Sequence, residues 1–467
     1  MGAIATFWSR TRVSDAVLYG LSAAFAALTA VTSTLLPHRA WGAIAWWGYA
    51  AAFLITFVVL RRLLLTFVVF AAVTLVPLVT QAVQRAGGRT DRAQEEVLVV
   101  EQMGQRLLDT GTPYLDRPAI AALPEPERLL GYSPYQPGMA IFGIPRAVLG
   151  DHWWTDARIW FAAATIAALL WTLHLLADLV APPGLVLVAQ SIAVLPICTL
   201  TLTTGGDDLP VVSLSLLAMA FTARHRWVAA GVTIGLAGAL KLFALPAALV
   251  LLVLAFQSAG GTAWFGRARR GAASTSVSPD VGVLASSDGG APASSGGAAL
   301  ATSDGGAPAS SGGAAVRRAA MFAAGAFGLP LLVMLPVLAV APSAFVENVL
   351  RFPAGHGLVT SPAQSPLPGQ LIASSTGPGR TIALSLLVAA GLAIGVWLLR
   401  RPPQDTGSAA LVVALGLTAA IMLIPSTRFG YLLYPAAFAA LWWALRQPAA
   451  KAPDQPTDIW PATSEAA

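Results

Sequence analysis

Residues 227–256 read WVAAGVTIGLAGALKLFALPAALVLLVLAF, a thirty-residue run whose one charge is Lys241. A helix needs about 20 predominantly apolar residues to cross about 30 Å of hydrocarbon. Thirty exceed one crossing, and a proline at 246 beside a buried charge disfavours an unbroken helix. The run is therefore read as two short segments, 227–240 and 242–256, broken near Lys241 and Pro246 as a re-entrant or hairpin pair.

Similar runs lie outward on both sides, at 15–36, 41–60, 63–82, 157–178, 184–203, 208–223, 319–341, 381–400, 408–425 and 429–446. The 467 residues are 56% hydrophobic and 11% charged, with mean hydropathy +0.70. A soluble surface needs roughly 25% charge, so a soluble enzyme, a disordered regulator and a disulfide scaffold are excluded. A transmembrane barrel would show alternating segments of about ten residues instead of long runs. The expected fold is an all-α polytopic integral membrane protein with about 11–12 transmembrane or re-entrant helices.

Arginine placement orders these spans. Of the 28 basic residues 26 are Arg, and Arg10/Arg12, Arg61/Arg62, Arg224/Arg226, Arg267/Arg269/Arg270, Arg317/Arg318, Arg400/Arg401 and Arg446/Lys451 fall on one side when the spans are counted as above. The positive-inside rule makes that side the cytoplasm, with both termini there. The net charge of +6 is thus topological information, and no nucleic-acid partner is expected. Arg10 and Arg12 precede a first run too long for a signal-peptide core, so that run is expected to stay as an anchor. Parity puts residues 83–156, the turn 205–210, the stretch 342–380 and the turn 425–430 on the extracytoplasmic side.

The expected organisation is a three-helix membrane segment at 1–82, an acidic extracytoplasmic loop at 83–156 and central helices at 157–256. A low-complexity cytoplasmic linker at 257–318, C-terminal helices at 319–446 and a cytoplasmic tail at 447–467 follow. Within the linker, SDGGAPASSGGAA at 287–299 recurs at 303–315, and neither copy has apolar side chains enough to build a core.

Several chemistries are excluded. Cys198 is the only cysteine, so no internal disulfide and no cysteine-based metal site exists. His38, His152, His174 and His225 lack metal-ligand spacing, and no HExxH, GxSxG or phosphate-loop signature occurs. Without a strand–helix alternation there is no nucleotide-sugar domain either.

Candidate chemistry concentrates on the extracytoplasmic side. Residues 95–114, EEVLVVEQMGQRLLDTGTPY, have apolar positions at near-helical spacing and place Glu95 and Glu96 close to the membrane surface. A partly desolvated carboxylate there can take a proton from a hydroxyl, although the residues alone favour a solvated amphipathic face. Lys241 is either a functional intramembrane cation or a snorkelling one. Arg428, Arg351 and His356 pose the same choice, because a lipid phosphate at the outer boundary calls for cations and donors of this kind. Asp207 and Asp208 either orient acceptor hydroxyls or cap the helix at Pro210.

The segment 95–114 resembles the first extracytoplasmic loop of the GT-C superfamily of membrane glycosyltransferases, particularly family 87. Leu107, Leu108, Gly111, Pro113 and Tyr114 carry the likeness, and counting back from them puts the family's acidic position on Glu96, with Glu95 as alternate. This chain has Glu where the family has Asp, and it follows the third span instead of the first, which implies two additional N-terminal helices. Further similarity lies in YSPYQPGMAIFG at 132–143, which includes Tyr135, in the re-entry motif at 153–158, in GVTIGLAGALKLFALP at 231–246 and in STRFGYLLYP at 426–435.

The resemblance implies an inverting transfer of a hexose, mannose foremost, from a polyprenyl-phosphate donor to a lipid or polysaccharide acceptor at the extracytoplasmic face of the plasma membrane. Glu96 or Glu95 would be the base; Lys241, Arg351, His356 and Arg428 would hold the departing phosphate, and Asp207, Asp208, Tyr114 and Tyr135 would complete the substrate site. No cofactor is expected, with a divalent cation left open by the clustered acids. The rival from another class is a secondary transporter or lipid-linked-sugar flippase, which also needs broken helices and intramembrane charge. Against it stand the asymmetric acidic loop and the lack of a repeated hydropathy pattern between the halves.

Overall fold

Prolines decide where the apolar runs begin and break as helices in the computed structural model, which describes residues 2–257, 310–375, 377–447 and 449. Helix α1 (Gly2–Thr32) is followed by α2 (Leu36–Ile55), which starts earlier than the run at 41 because Pro37 fits the first helical turn, where its missing N–H has no intrahelical partner to lose. Helix α3 (Arg62–Ala86) contains a π-helical turn at Ala71–Leu75 just ahead of Pro77. Pro77 cannot donate to the Val73 carbonyl, and the Trp41 indole of α2 donates to it instead at 2.9 Å. A backbone acceptor that hydrocarbon would leave unsatisfied thereby becomes a joint between two helices.

Helix α4 (Glu95–Thr110) lies in the loop between α3 and α5 (Ala157–Leu176), with two glutamates in its first turn, where they complement the helix dipole. Helix α6 (Pro182–Thr204) is interrupted at Val194 and Leu195 ahead of Pro196, and the Tyr49 hydroxyl donates to the Val194 carbonyl there at 2.6 Å. Then come α7 (Asp208–Ala223), α8 (Trp227–Leu240), α9 (Leu245–Phe256), α10 (Ser310–Val340), α11 (Gly379–Arg400), α12 (Thr406–Leu423) and α13 (Phe429–Leu445). No β-strand occurs among the described residues, and the protein is an all-α polytopic membrane protein. Among the described residues seven helices are long and apolar enough to cross a membrane, namely α1, α3, α5, α6, α10, α11 and α12, while α7, α8, α9 and α13 are shorter apolar helices.

The run 227–256 divides at the residue carrying its charge. Lys241 is extended (φ −157°, ψ 142°) between α8 and a 3-10 turn at Leu242–Ala244, with Pro246 in the first turn of α9. The break frees the Leu240 carbonyl, which accepts from the Gln136 N–H of the loop at 3.1 Å. Helix α8 also crosses α10 at backbone contact: a Cβ on Gly235 would lie 2.1 Å from the Gly325 carbonyl oxygen. Small residues permit such approaches where lipid supplies no hydrophobic drive for helices to associate.

Helix α10 begins at Ser310, inside the stretch expected to be linker, because the alanine- and arginine-containing residues ahead of 319 favour helix. The rest of that linker, the duplicated segment at 287–299 with most of its second copy at 303–315, Arg267, Arg269 and Arg270, and the tail beyond 449 with Lys451 lie outside the described residues.

The loops gather at two ends of the bundle. At one end the Gln94 N–H donates to the Thr204 carbonyl at 2.9 Å, Thr427 pairs with 363 and 365, and the Asn348 side chain accepts from the Ser133 N–H at 2.7 Å. At the other, Arg224 pairs with Asp178 and the Ala181 N–H donates to the Gln447 carbonyl at 2.8 Å. The first end holds the cavity described next.

Candidate active site

A cavity of about 1460 Å³ opens where α4, the turn between α6 and α7, the α8–α9 break and the start of α13 converge. Its polar part is lined by Gln94, Glu95, Glu96, Asp207, Asp208, Lys241 and Arg428, with Tyr132, Tyr135, Phe243 and Tyr431 as aromatic walls.

The Lys241 ammonium is engaged from two sides, 2.8 Å from Asp207 Oδ2 and 2.5 Å from Asp208 Oδ1. The Tyr434 hydroxyl donates to the same Asp208 oxygen at 2.7 Å. Three rings box the ammonium, with centroids 5.3 Å (Tyr135), 5.4 Å (Tyr431) and 5.9 Å (Phe243) away, a cation–π arrangement that replaces lost water. Gly206 delivers the two aspartates from a turn with φ +93°, a conformation that side chains rarely adopt. Neither aspartate caps its helix: Asp207 occupies the cap position of α7 without a side-chain capping bond, and Asp208 is committed to Lys241 and Tyr434. Both residues line the cavity.

Glu96 is mostly buried and forms an ion pair with the Arg428 guanidinium. Its Oε2 ends 3.9 Å from where a Cβ on Gly205 would sit, beside the turn that carries the aspartates. Glu95 is exposed and, among the described residues, has no charged partner. Arg428 is held from behind, since Thr427 exchanges backbone bonds with Ala363 and Ser365 at 3.0 and 2.9 Å and the Phe429 N–H donates to the Ser365 hydroxyl at 3.0 Å. Tyr135 is held by the Tyr114 hydroxyl, which donates to its carbonyl at 2.6 Å. Burial, with the Asp207 carboxylate beside it, pushes the Tyr135 hydroxyl far up, so it remains a donor.

Of the residues singled out from sequence, Glu95, Glu96, Asp207, Asp208, Lys241, Arg428 and Tyr135 line one cavity. Tyr114, Arg351 and His356 do not line it. Tyr114 supports Tyr135 from outside, and Arg351 is half exposed, 3.1 Å from Glu347. His356 is an exposed side chain whose carbonyl accepts from Arg117 at 3.0 Å. A cradle of four cationic or donor groups is therefore not assembled. The cavity sets four carboxylates against two cations, and both cations hold carboxylates.

Sequence reasoning missed His38, Gln94, Tyr132 and Tyr431 as lining residues, and Tyr434 behind them. His38 lies at the start of α2 against Gln94 and Arg428. Spacing tests it only as a metal ligand, and nothing in residues 36–40 announces contact with a turn almost four hundred residues away. Tyr431 and Tyr434 had a signal, since they fall within the motif at 426–435. Among the described residues no group of three or more His, Cys, Asp or Glu is arranged to hold a metal ion.

A second cluster of charge lies at the same end of the bundle but outside the cavity. Arg85 forks onto Glu101 at 2.8 and 2.6 Å and reaches Asp156 at 2.9 Å, while Arg158 contacts Asp156 at 2.9 and 2.8 Å. Arg158 also donates to the Arg92 and Thr203 carbonyls at 2.7 and 2.9 Å, joining the loop to α5 and α6. Burial alone would raise Asp156, but the Arg158 and Arg85 guanidiniums outweigh it and hold the carboxyl well below the ordinary range.

Residues 133–287 match the model of Glycosyltransferase family 87, a match that covers Tyr135, Asp207, Asp208 and Lys241. No curated protein and no solved structure matches the chain. The match spans about a third of the chain and, together with the apolar helices, supports a membrane glycosyltransferase.

Proposed function

We propose that this membrane glycosyltransferase transfers a hexose, mannose foremost, from a polyprenyl-phosphate donor to a hydroxyl of a lipid or glycan acceptor, with inversion at the anomeric carbon. The observation that carries the reading is the single cavity in which a carboxylate at the start of α4 meets Arg428 and the Asp207–Asp208–Lys241 cluster. A lipid-linked donor suits a chain whose described residues form no β-strand and whose sequence has no nucleotide-binding alternation.

Glu96 is the base in this reading. As a donor phosphate takes Arg428, Glu96 loses its counter-ion and becomes free to accept the acceptor's hydroxyl proton. The acceptor oxygen then bonds to the anomeric carbon as the bond to the phosphate oxygen breaks, and polyprenyl phosphate departs with that electron pair, stabilised by Arg428. Glu95, without a charged partner beside it, is the alternate base. Asp207 and Asp208 accept sugar hydroxyls, and Lys241 offsets their mutual repulsion while the surrounding rings face the sugar's apolar side. Arg351 and His356 have no direct part in the site as it stands.

The arginine-rich turns at the opposite end of the bundle, Arg61/Arg62, Arg224/Arg226 and Arg400/Arg401, support a cytoplasmic position for that end and for both termini. The cavity then faces the extracytoplasmic side of the plasma membrane. The test is sugar transfer in proteoliposomes offered radiolabelled polyprenyl-phosphate mannose or GDP-mannose with a lipid and glycan acceptor pool. Transfer from the lipid-linked donor alone, lost by about 10²–10⁴-fold in Glu96→Gln, is the expected result. Transfer by the doubly substituted Glu95→Gln, Glu96→Gln protein at the parent rate would overturn the base assignment.

A further inference from the structure

The cavity has apolar lining that the chemistry above does not use, and the N-terminal hairpin supplies one stretch of it, the apolar arm. Leu18, Leu21, Ser22 and Phe25 line it from α1, and Leu35, Pro37 and His38 line it from the start of α2. The α1 residues stand at i, i+3, i+4 and i+7, so one helix face is turned to the cavity. Leu21 is 68% exposed and Phe25 44%, large apolar groups on an open wall. Leu195, Ile197 and Leu200 of α6 contribute further apolar lining, and these residues share one cavity with Arg428, which His38 stands near.

The hairpin is anchored firmly. On α1, next to the lining face, Asp15 is buried and takes a two-pronged contact from Arg62 at 2.6 and 2.7 Å, and Gln190 of α6 donates to it at 3.0 Å. Helix α2 crosses α1 at backbone distance, a Cβ on Gly42 falling 2.5 Å from the Ala26 carbonyl oxygen, and Phe25 meets Trp41 edge-on at 6.2 Å. A wall fixed by a buried ion pair and close packing is preorganised for a ligand.

We propose that this arm is the groove for the isoprenoid chain of the donor, so that α1 and α2 select the lipid while the remaining helices carry the transfer. The proposal rests on the glycosyltransferase reading of the cavity. Its occupant is argued from placement and charge: an apolar trough that shares a cavity with a guanidinium and an imidazole matches a molecule with a hydrocarbon tail and an anionic head. A free sugar phosphate would use the head end alone, and a bulk membrane lipid would have no reason to prefer this trough to any other lipid-facing surface.

The experiment uses the full chain in nanodiscs with a benzophenone-bearing polyprenyl phosphate that carries no sugar. After irradiation, labelled peptides are mapped for the parent and for Leu21→Trp, which fills the trough from an exposed position. Labelling within residues 15–38, competed by unlabelled polyprenyl phosphate and reduced in Leu21→Trp, is expected. Labelling confined to other helices, or competed equally by phosphatidylglycerol, overturns the groove. In parallel, KM is measured for donors with long and with two-unit isoprenoid chains, and the tryptophan is expected to shift the long-to-short ratio by about tenfold. An unchanged ratio in a protein that still transfers sugar removes the groove and leaves the enzyme standing. Specific labelling of 15–38 without transfer from any donor removes the enzyme reading and leaves the groove.

Discussion

Two clusters of buried charge sit at the same end of this bundle and have different fates. Arg85, Arg158, Glu101 and Asp156 close on one another and on backbone carbonyls, with Arg158 fully buried and Asp156 1% exposed. Asp207, Asp208 and Lys241 also pair, yet they line the large cavity and have aromatic rings as neighbours in place of further cations. The difference teaches that burial and pairing alone do not separate a closed cluster from one that faces a cavity. What separates them is whether a wall of the cluster is open to a ligand. Removing one partner from a closed cluster strands a charge, at a cost of about 3–5 kcal/mol, while disturbing an open one also changes what the cavity can bind.

The sharpest way to break that comparison is Asp156→Ala. It strands Arg158 and leaves Arg85 with one carboxylate fewer, and a loss of stability of about 3–5 kcal/mol is expected, read as a fall in thermal unfolding temperature in detergent. Unfolding at the parent temperature would show that the closed cluster does not hold the loop to α5. Asp208→Asn is the counterpart at the open cluster: it keeps the shape, and transfer per folded molecule is expected to fall about 10- to 100-fold. If Asp208→Asn affects only unfolding and the transfer rate holds, the two clusters are alike and the distinction fails.

A third measurement uses acid. Asp156 has a depressed folded-state pKa, so its contribution to stability is complete above the unfolded carboxyl value and is lost as pH falls through the folded one. The parent is expected to lose about 1 kcal/mol per pH unit from this group below about pH 4. Asp156→Asn should lack that share of the slope, and parallel acid limbs in unfolding scans would refute the linkage. The smallest effect is expected at Arg351→Ala. Its partner Glu347 keeps Arg117 at 2.8 Å, and a half-exposed pair contributes about 0.2–1 kcal/mol, so transfer should stay within about threefold of the parent. A hundredfold loss would return Arg351 to the site.

Much of the helical frame was legible from residues alone. Runs such as 208–223 and 227–240 became α7 and α8 with the same bounds, because hydrocarbon admits few other backbone states for a long apolar run. The break at Lys241 was legible for the same reason, since a charge and a nearby proline in one run are hard to accommodate in an unbroken span. The start of α2 was less legible, because its first turn contains polar His38 and Arg39 and reads as loop until Pro37 is recognised as a helix start. The start of α10 was hidden by low-complexity composition, which speaks to core formation and says little about local helix preference.

The cavity divides along similar lines. Glu95, Glu96, Asp207, Asp208, Lys241 and Arg428 stand out in sequence because charge beside apolar runs is costly and therefore conspicuous. Arg351 and His356 stand out equally, but the loop 342–380 folds so that Glu347 takes the first and leaves the second exposed. Sequence distinguishes a charged residue from its surroundings but not which of several charges another will meet.

By itself, the sequence determined that this protein is a bundle of membrane helices, since the lack of water in a bilayer leaves little choice of backbone, and that part of it is similar to glycosyltransferase family 87. Tertiary structure alone decided that Lys241 would be neutralised by two aspartates, that Glu96 would pair with Arg428, and that the N-terminal hairpin would wall the cavity with Leu18, Leu21, Phe25 and His38. Those outcomes depend on which helix faces meet, and that is set by packing of small residues and by long-range ion pairs such as Asp15 with Arg62, whose partners lie far apart in the chain.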